Sequence, residues 1–341
     1  MEKRFTAALF LASTCALGTA HAQSSVTLYG LIDNGIEYQN GGNGGAFRAV
    51  SGGLYATVFG FRGREDLGGG LQLNFTLEEG FSGQTGAQQT AGYAFNRLAW
   101  VGLAGDWGEF RIGRQKKPEY LLLNDEMDPT GVKSIASPLD NFMAETVRSN
   151  NAIAYFLPVM YGLTVQFMVA MRDSTTKPTD GLQFYNAAAR YVHGPFRLAG
   201  GYEQQGNATG TSLQRIVSAV ASMGIGDGRV YMSYHSERQS DHSENFAIYE
   251  ASGSYSFTAA DQLSLMYAYA HDQRGLGNNA QQVGVVYEYS LSRRTKVYGA
   301  LGIIQNRNQA AYSLNGTAYS GVTVAPGAFA RGIMFGIANR F

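Results

Sequence analysis

The residues most able to do chemistry in this chain are charged, and many of them are concentrated in one segment. Residues 116–147 carry six acids against three lysines, a formal charge of −3. The acids are Glu119, Asp125, Glu126, Asp128, Asp140 and Glu145, and the lysines are Lys116, Lys117 and Lys133. Charges that face a confined aqueous space bias the passage of ions by sign. In open solvent the same segment would be only a hydrated loop.

Patterns of histidine, serine and glycine give little support to catalysis. Beyond residue 22 the histidines are His193, His235, His242 and His271. None has the spacing of a zinc-binding helix, and the Gly-x-Ser-x-Gly turn of serine hydrolases is absent. The three glycines at 68–70 lack the Gly-Lys-Ser/Thr ending of a phosphate-binding loop. The sequence therefore predicts no enzyme, no metal site and no cofactor, although a triad assembled only in space stays open.

Composition narrows the class of protein further. The 341 residues include 44 Gly, 21 Tyr and 19 Phe, yet only 15% are charged, against about 25% in a typical soluble domain. Acids and bases balance at 26 each, so no basic excess is present to neutralise nucleic-acid phosphates. A single cysteine excludes a disulfide framework and a thiolate metal cage. Because the mean hydropathy is slightly negative, a closed sheet with one apolar face fits better than a helical bundle in lipid.

The N-terminal residues are typical of a secretory signal. Lys3 and Arg4 precede an apolar stretch at 5–17, and residues 20–22 (AHA) have the small-x-small pattern of a cleavage site. We therefore expect residues 1–22 to be a cleaved signal peptide and residues 23–341 to form the exported mature protein. No later stretch approaches the roughly 18 apolar residues of a spanning helix.

Hydrophobicity beyond the signal has a period of two. Residues 71–78, 163–172 and 262–269 alternate between large apolar and polar or small side chains, as strands with two differently solvated faces do. Seven short turns alternate with eight longer polar or glycine-rich segments, of which 39–53 is the first and 116–147 the longest. Fifteen connections imply sixteen strands. An even number of strands with short turns at one end and long loops at the other is typical of a transmembrane β-barrel.

Four segments carry a more specific signal. Each resembles a part of one protein family. The first strand of that family resembles residues 25–33 (SVTLYGLID), and its second strand and first turn resemble residues 60–71 (GFRGREDLGGGL). The strand after its constriction loop resembles residues 148–155 (RSNNAIAY), and its last periplasmic turn resembles residues 289–295 (YSLSRRT). That family is the general porins of Gram-negative outer membranes, of the trimeric neisserial and burkholderial kind. The resemblance extends over the whole mature chain.

The resemblance implies an all-β protein, a 16-stranded antiparallel transmembrane β-barrel with an inward-folded constriction loop between strands 5 and 6. It also implies a homotrimer in outer-membrane lipid, inserted by the barrel assembly machinery. Phe341, preceded by alternating Ile333, Phe335 and Ile337, resembles the C-terminal signature that this machinery reads. The implied function is a general diffusion porin, a water-filled channel for ions and small hydrophilic solutes, without a cofactor or a nucleic-acid partner.

A barrel of sixteen strands has an aqueous lumen that something must narrow. The basic wall expected to face the acidic loop consists of Arg62, Arg64, Arg97, Arg114 and Arg148. Alternation places the first two inward, and it places Arg97 inward if Leu98 and Trp100 face lipid. The resemblance assigns Arg114 and Arg148 to the pore lining. Since arginine stays charged at any relevant pH, we expect a transverse field between this wall and the loop acids.

Two departures from the family pattern leave the ion preference open. Val58 stands where the second strand often carries another inward arginine, and the loop lacks the Pro-Glu-Phe-Gly-Gly-type turn of enterobacterial relatives. A weaker basic wall against a loop of −3 would shift the pore toward neutral or cation preference.

Two alternative uses of individual residues also stay open. A sugar-specific channel would need a slide of stacked rings, for which Tyr120, Tyr155 and Trp100 are available. Calcium could instead bind Asp125, Glu126 and Asp128 on the loop, because carboxylates are its usual ligands.

Overall fold

A single antiparallel sheet contains every strand of the described residues, which are 25–144, 146–171, 182–206 and 212–341 of the computed structural model. The strands are β1 (Ser25–Asn40), β2 (Gly45–Ser51), β3 (Val58–Gly68), β4 (Leu71–Gly80), β5 (Leu98–Gly105), β6 (Gly108–Lys116), β7 (Arg148–Phe156), β8 (Leu163–Met171), β9 (Leu182–His193), β10 (Phe196–Gly206), β11 (Leu213–Ile225), β12 (Gly228–Gln239), β13 (Asn245–Tyr255), β14 (Asp261–Asp272), β15 (Ala280–Ser290), β16 (Thr295–Asn306) and β17 (Phe329–Arg340). The predicted signal peptide, residues 1–22, lies outside the described residues.

Two helices, α1 (Pro118–Met127) and α2 (Pro138–Phe142), lie between β6 and β7. No helix among the described residues has the length and apolar character needed to cross a membrane.

The sheet closes on itself, because β1 pairs with β17 on one side and with both β2 and β3 on the other. Segments β2 and β3 pair with residues 34–40 and 25–31 of β1, so they are two parts of the second barrel strand. Counted this way over the described residues, the barrel has sixteen strands, and the segment with the two helices joins the fifth and the sixth. Closure leaves no edge strand unpaired, as a lipid environment requires.

The two faces of the wall differ as the alternation predicts. On β1, Leu28 and Ile36 are exposed on the outer face, whereas Asp33 and Glu37 are buried on the inner face. Phe335 on β17 is likewise exposed outward. The inner face carries the polar side chains that bind the loops inside the barrel, and the outer face is apolar, as lipid contact requires.

The first predicted loop, residues 39–53, is partly a strand. Residues 45–51 form β2 and pair with the end of β1, so the connection is only the turn at 41–44. Gly42 and Gly44 have φ values of 96° and 108°, a conformation that favours glycine. The glycines that made the whole segment look like a loop are needed at the turn, where they permit a tight reversal.

Residues 52–57 leave the wall between β2 and β3 and bend into the barrel. The carboxylate of Asp33 holds this segment, accepting hydrogen bonds from the backbone N–H groups of Leu54 and Tyr55 at 2.9 and 2.7 Å and from the Tyr298 hydroxyl at 2.7 Å. Leu54 is buried among inward-facing apolar residues. The second barrel strand is therefore interrupted by an inward-bent segment, residues 52–57. The alternation of polar and apolar residues in the sequence does not predict this interruption.

The apolar core lies inside the barrel, where the segment with the two helices packs against the inner wall. Its buried side chains include Ile135, Leu139 and Phe142, which belong to one cluster with wall residues such as Ile248 and Met266. The segment before β17, residues 307–328, joins this cluster. Its Leu314 and Tyr312 side chains are part of it, and the Tyr312 ring lies 4.8 Å from that of Phe142.

Two wall glycines let the loop backbone approach the sheet closely. A Cβ atom at Gly284 would overlap the carbonyl oxygen of Ala136, and one at Gly302 would overlap the carbonyl oxygen of Ile135. The side chain of Gln282 donates to both carbonyls at 3.1 Å. The main chain of the loop is therefore in direct contact with β15 and β16.

Replacing Gly284 with alanine should push residues 135–136 off the wall. Overpacking of this kind destabilises by about 1–3 kcal/mol, and the loop yields more easily than the closed sheet. We expect Gly284→Ala to fold as a barrel with altered single-channel conductance in planar bilayers. Gly200→Ala is the matched control, because the nearest atom to its added Cβ is the Ser218 carbonyl oxygen at 3.7 Å. Equal conductance in the two variants would contradict the contact.

Candidate pore constriction

The constriction loop, residues 116–147, is anchored at its start by a buried ion pair. Lys117 Nζ lies 2.5 Å from Glu203 Oε1 on β10, and the two side chains are only 2% and 1% exposed. Asn186 on β9 donates to the other carboxylate oxygen of Glu203 at 2.9 Å. Removing two charges from water is costly unless they pair closely and gain further hydrogen bonds. The start of the loop is therefore fixed to β9 and β10.

Glu119 continues this anchor along the wall. Its backbone N–H donates to Asn186 Oδ1 at 3.1 Å, and its carboxylate accepts a hydrogen bond from the Ser218 hydroxyl on β11. Gly201 on β10 leaves room for the side chain, since a Cβ there would lie 3.0 Å from Glu119 Cγ. Glu119 is therefore buried against the wall and does not face the open lumen.

A histidine on β12 carries the contact to the far end of the loop. Ser218 Oγ lies 2.8 Å from His235 Nδ1, and His235 Nε2 lies 3.0 Å from Glu237 Oε1. Glu237 also accepts a hydrogen bond from the backbone N–H of Ala144 at 2.7 Å. These wall residues have the types found in a hydrolase triad. All three are buried, and the Ser218 hydroxyl is bonded to Glu119, so the arrangement holds the two ends of the loop.

Two further acids of α1 have contrasting surroundings. Glu126 is buried and lies 3.2 Å from Arg197 and 3.5 Å from Arg190, so it forms another link to β10 and β9. Asp125 points away from the wall, with 79% of its side chain exposed and Lys133 at 3.8 Å. Among the described acids of the loop, Asp125 is therefore the one that meets solvent freely.

Asp128 shapes the turn between the two helices. Its carboxylate accepts hydrogen bonds from the backbone N–H groups of Thr130 and Val132 at 2.7 and 3.0 Å, and from the Ser137 hydroxyl at 2.5 Å. Asp140 on α2 lies close enough for the two carboxylates to repel. Burial, together with this repulsion, raises the pKa of Asp140 well above its usual range. Asp128 is therefore bonded within the turn of the loop, and Asp140 is a weaker acid than a free aspartate.

The loop acids do not converge on a metal site. Glu126 is paired with arginines, Asp128 is bonded within its turn, and Asp125 projects into solvent. In the part of the chain that the structure describes, no group of three or more His, Cys, Asp or Glu side chains is arranged to hold a metal ion. Glu145, the last predicted acid of the loop, lies outside the described residues. The calcium alternative thus gains no geometric support.

A cluster of cations lines the wall where the loop begins. Lys116 and Arg148 face each other in register at the ends of β6 and β7, and both lie within electrostatic range of Arg97 and Glu78. Arg97 Nε lies 2.8 Å from Glu78 Oε1. Lys116 Nζ also lies 4.9 Å from the ring of Tyr120 on α1. Glu78 is ion-paired with Arg97 and lies within electrostatic range of Lys116 and Arg148, so one carboxylate faces three cations. We call these three cations the basic cluster.

Arg97 faces the lumen, but regular alternation along β5 does not explain this. Alternation would place Arg97 inward only if Trp100 faced lipid, and Trp100 does not. Trp100 points inward, where the Arg111 guanidinium lies 4.1 Å from the centre of its ring. The strand becomes regular only after Arg97, and the preceding residue is held irregularly. Asn96 there bonds to the Glu79 carboxylate through both its backbone N–H and its side-chain amide, at 2.9 and 2.8 Å. Alternation alone therefore misplaces the residues at this strand entry.

Arg114 lies near the end of β6, within electrostatic range of Arg97 and Arg148. It shares the face of β6 that carries the exposed side chains of Phe110 and Ile112. Its guanidinium donates to the Asn96 carbonyl oxygen at 2.8 Å and to Asn150 Oδ1 at 2.5 Å. A register shift between β6 and β7 spans this position, since Gly113 pairs with Ala152 and Gln115 pairs with Ser149. Its assignment to the pore lining therefore stays a prediction of the resemblance.

Arg62 and Arg64 lie on β3 between the basic cluster and the short turn at the end of that strand. They are in register with Thr27 and Ser25 of β1 and are exposed to water. The Arg62 guanidinium lies 5.5 Å from the ring of Tyr29. No ion pair within the described residues involves either arginine. Neither guanidinium group is therefore held by a carboxylate of the described residues at ion-pair distance.

The last long loop, residues 307–328, supports the constriction loop from behind. Its Thr317 N–H donates to the Gly53 carbonyl oxygen at 3.1 Å, on the inward segment of the second strand. Its Asn315 N–H donates to Asn141 Oδ1 on α2 at 2.6 Å. The lumen is thus narrowed by two loops and one strand interruption that contact each other.

Phe341 closes the ring of strands. Its backbone N–H donates to the Gly30 carbonyl oxygen, and the Gly30 N–H donates to the Phe341 oxygen, each at 3.1 Å. The Phe341 ring covers Gly30 so closely that a Cβ atom there would overlap it. Ile333 and Ile337 project from the same outer face of β17. The C-terminal residue therefore contributes to barrel closure as well as to the outer apolar surface.

Comparison with known proteins agrees with this architecture. A family model described as Gram-negative porin matches residues 6–309. The chain belongs to the Gram-negative porin family.

Relatives of this porin are similar over most of its length. Outer membrane porin protein 32 of Delftia acidovorans is 29% identical over 97% of this chain and 98% of its own. An outer membrane porin protein of Bordetella pertussis is 32% identical over 66% and 65% of the two chains. Among solved structures, an anion-selective porin from Comamonas acidovorans matches with a TM-score of 0.82 and 26% identity, covering 94% of this chain and 100% of that one.

These relationships confirm the predicted class of fold and function. The porin is a sixteen-stranded β-barrel of the outer membrane with a loop folded into its lumen. It is a general diffusion channel for ions and small hydrophilic solutes.

Sequence reasoning missed the wall residues that hold the loop. Asn186, Glu203, Ser218 and Glu237 all occupy inward positions of β9–β12. The feature of the sequence that could have indicated these wall residues is a polar or acidic side chain at an inward strand position. Its partner could not be read from the sequence, because each contact joins segments far apart in the chain and depends on the register of the barrel.

Removing the buried cation at the start of the loop should release the loop from the wall. Lys117→Met leaves the Glu203 carboxylate buried without its cation, and breaking such a pair costs about 3–5 kcal/mol. We expect a lower thermal unfolding midpoint and unstable single-channel conductance. Lys133→Met is the matched control, because its partner Asp125 is 79% exposed and 3.8 Å away, and such a pair contributes less than about 1 kcal/mol. A Lys117→Met porin that behaves like this control would argue against the anchor.

Proposed function

We propose that this porin is a passive pore whose narrow zone favours anions over cations. The observation that carries the proposal is the position of its charges. Arg97, Lys116 and Arg148 lie within electrostatic range of one wall carboxylate, Glu78, which is ion-paired with Arg97. A local excess of positive charge at a constriction lowers the barrier to anions and raises it to cations.

The loop offers this wall little negative charge in return. Glu119 is bonded to wall groups, Glu126 neutralises two arginines, and Asp128 is bonded within its turn. Asp125 is exposed and has Lys133 beside it. We therefore propose a transverse electric field between the loop acids and the wall cations. The loop contributes less negative charge to this field than its formal charge of −3 suggests. Asp125 supplies the acidic side and the basic cluster supplies the other.

The similar structure from Comamonas acidovorans supports this sign of selectivity, because that protein is described as anion-selective. Val58 removes one arginine from the second strand relative to the family pattern, whereas Lys116 supplies a cation beside Arg148. We propose that Lys116 compensates for the missing arginine.

A sugar-specific channel receives less support, because its candidate rings do not form a continuous slide. Trp100 has the Arg111 guanidinium over its ring, and Tyr155 stacks on Phe110 at 4.3 Å on the outer face. Tyr120 contacts Lys116 at the start of the loop. We propose passive diffusion without catalysis as the role of the whole pore.

We also propose the assembly implied by the family. The porin would be exported through cleavage of residues 1–22, inserted by the barrel assembly machinery through its C-terminal Phe341, and assembled as a homotrimer in outer-membrane lipid. The exposed apolar side chains of Ile333, Phe335 and Ile337 next to this terminus support a lipid or subunit contact on that face.

A KCl gradient across a planar bilayer tests the ion preference. We expect the wild-type reversal potential to lie on the chloride side. Arg97→Gln combined with Arg148→Gln should move it toward potassium, because two of the three cations of the basic cluster are lost. Arg215→Gln is the matched control and should leave the value unchanged, because Arg215 shares the outer face of β11 with the exposed Val217.

Two results would contradict the proposal. A wild-type reversal potential on the potassium side would refute the anion preference. A well-folded porin that conducts no current would refute the channel itself.

A further inference from the structure

We propose that the inner wall holds a binding site for small carboxylates that carry a planar ring, on the periplasmic side of the constriction. The site is a cavity of about 390 Å³, lined among others by Arg62, Arg64, Trp100 and Arg111. None of the basic cluster lines it. The inference rests on the proposed anion preference, since a carboxylate must first be admitted to the lumen.

The charged part of the cavity is formed by β3. Arg62 and Arg64 are two positions apart on the same face of the strand, so both guanidinium groups project into the same space. Each lacks an acidic partner within the described residues. A guanidinium fork matches the two oxygens of a carboxylate. Hydroxyl groups of Ser25 and Thr27 line the same cavity and can donate further hydrogen bonds.

The planar part of the cavity is formed by β5 and β6. The Arg111 guanidinium lies between two rings, 4.1 Å from that of Trp100 and 4.2 Å from that of Phe156. Glu109 fixes it through an ion pair of 2.6 Å and also accepts a hydrogen bond from Asn74 at 3.1 Å. The stack is therefore held in place before any solute arrives.

This stack also removes a charge that would repel an anion. Both carboxylate oxygens of Glu109 are engaged, one by Arg111 and one by Asn74. The net charge at the mouth of the cavity therefore comes from Arg62 and Arg64. A carboxylate can bind these two arginines while a ring attached to it rests on the exposed part of the Trp100 stack.

Size and place favour a single-ring solute in transit. The volume lies within the range of small-molecule pockets but near its lower end, which suits one ring and a carboxylate better than a disaccharide. The cavity adjoins the strand ends next to the short turns, so a solute leaving the basic cluster would meet it before reaching the periplasm.

Block of the chloride current tests the site, with sodium benzoate as the probe. We expect benzoate to block at a concentration about threefold to tenfold below that of acetate or cyclohexanecarboxylate, because only benzoate presents a planar ring. Arg62→Gln with Arg64→Gln should raise the benzoate concentration needed by about tenfold or more. Trp100→Leu should abolish the difference between benzoate and cyclohexanecarboxylate while acetate block stays as in wild type.

Arg293→Gln is the matched control, because it removes one cation at the short turn between β15 and β16, outside this cavity. It should leave benzoate block unchanged. An anion-preferring wild-type pore that benzoate blocks no better than cyclohexanecarboxylate would overturn the site and leave the proposed function standing. Equal benzoate block in the wild type and the double arginine variant would do the same. A reversal potential on the potassium side would instead overturn the proposed function.

Discussion

The buried ion pair between Lys117 and Glu203 is the contact on which the shape of this pore depends. Both charges are almost completely removed from water, and neither can leave its partner without a large loss of free energy. The pair fixes the first residue after β6 to the wall at β10. From that point the loop follows β9–β12 through Glu119 and ends at Glu237, so its path is determined at both ends.

The anchoring of the loop decides which charges face the solute. An acid that binds the wall cannot also balance a wall arginine across the lumen. Glu119, Glu126 and Asp128 are engaged on the loop's own side, and the basic cluster on β5–β7 retains its positive charge. The zero formal charge of the chain thus conceals two separated regions, a loop whose acids are mostly bonded to neighbouring groups and a wall where three cations face one carboxylate.

The period-two pattern, the turn lengths and the position of the longest loop were sufficient to predict sixteen strands and a loop between the fifth and sixth. These features repeat along the chain and need no knowledge of distant contacts. Alternation failed where the strands are irregular, at the entry to β5, where Trp100 turns inward, and in residues 52–57, which leave the wall. The resemblance places Arg114 in the pore, and its position near Arg97 and Arg148 leaves that assignment a prediction. The engagement of the loop acids could not be predicted, because it depends on which inward residues of β9–β12 stand opposite the loop.

A disulfide between the loop and the wall would test this account most directly. Residues 23–341 contain no cysteine, and a Cβ atom at Gly201 would lie 3.3 Å from Glu119 Cβ, close to the usual separation of about 3.8 Å across a disulfide. We predict that Glu119→Cys with Gly201→Cys forms this bond in the outer membrane. Its reduction should leave the single-channel conductance unchanged, because the loop already rests on the wall. Failure of the two cysteines to cross-link, or a change of conductance on reduction, would contradict the account.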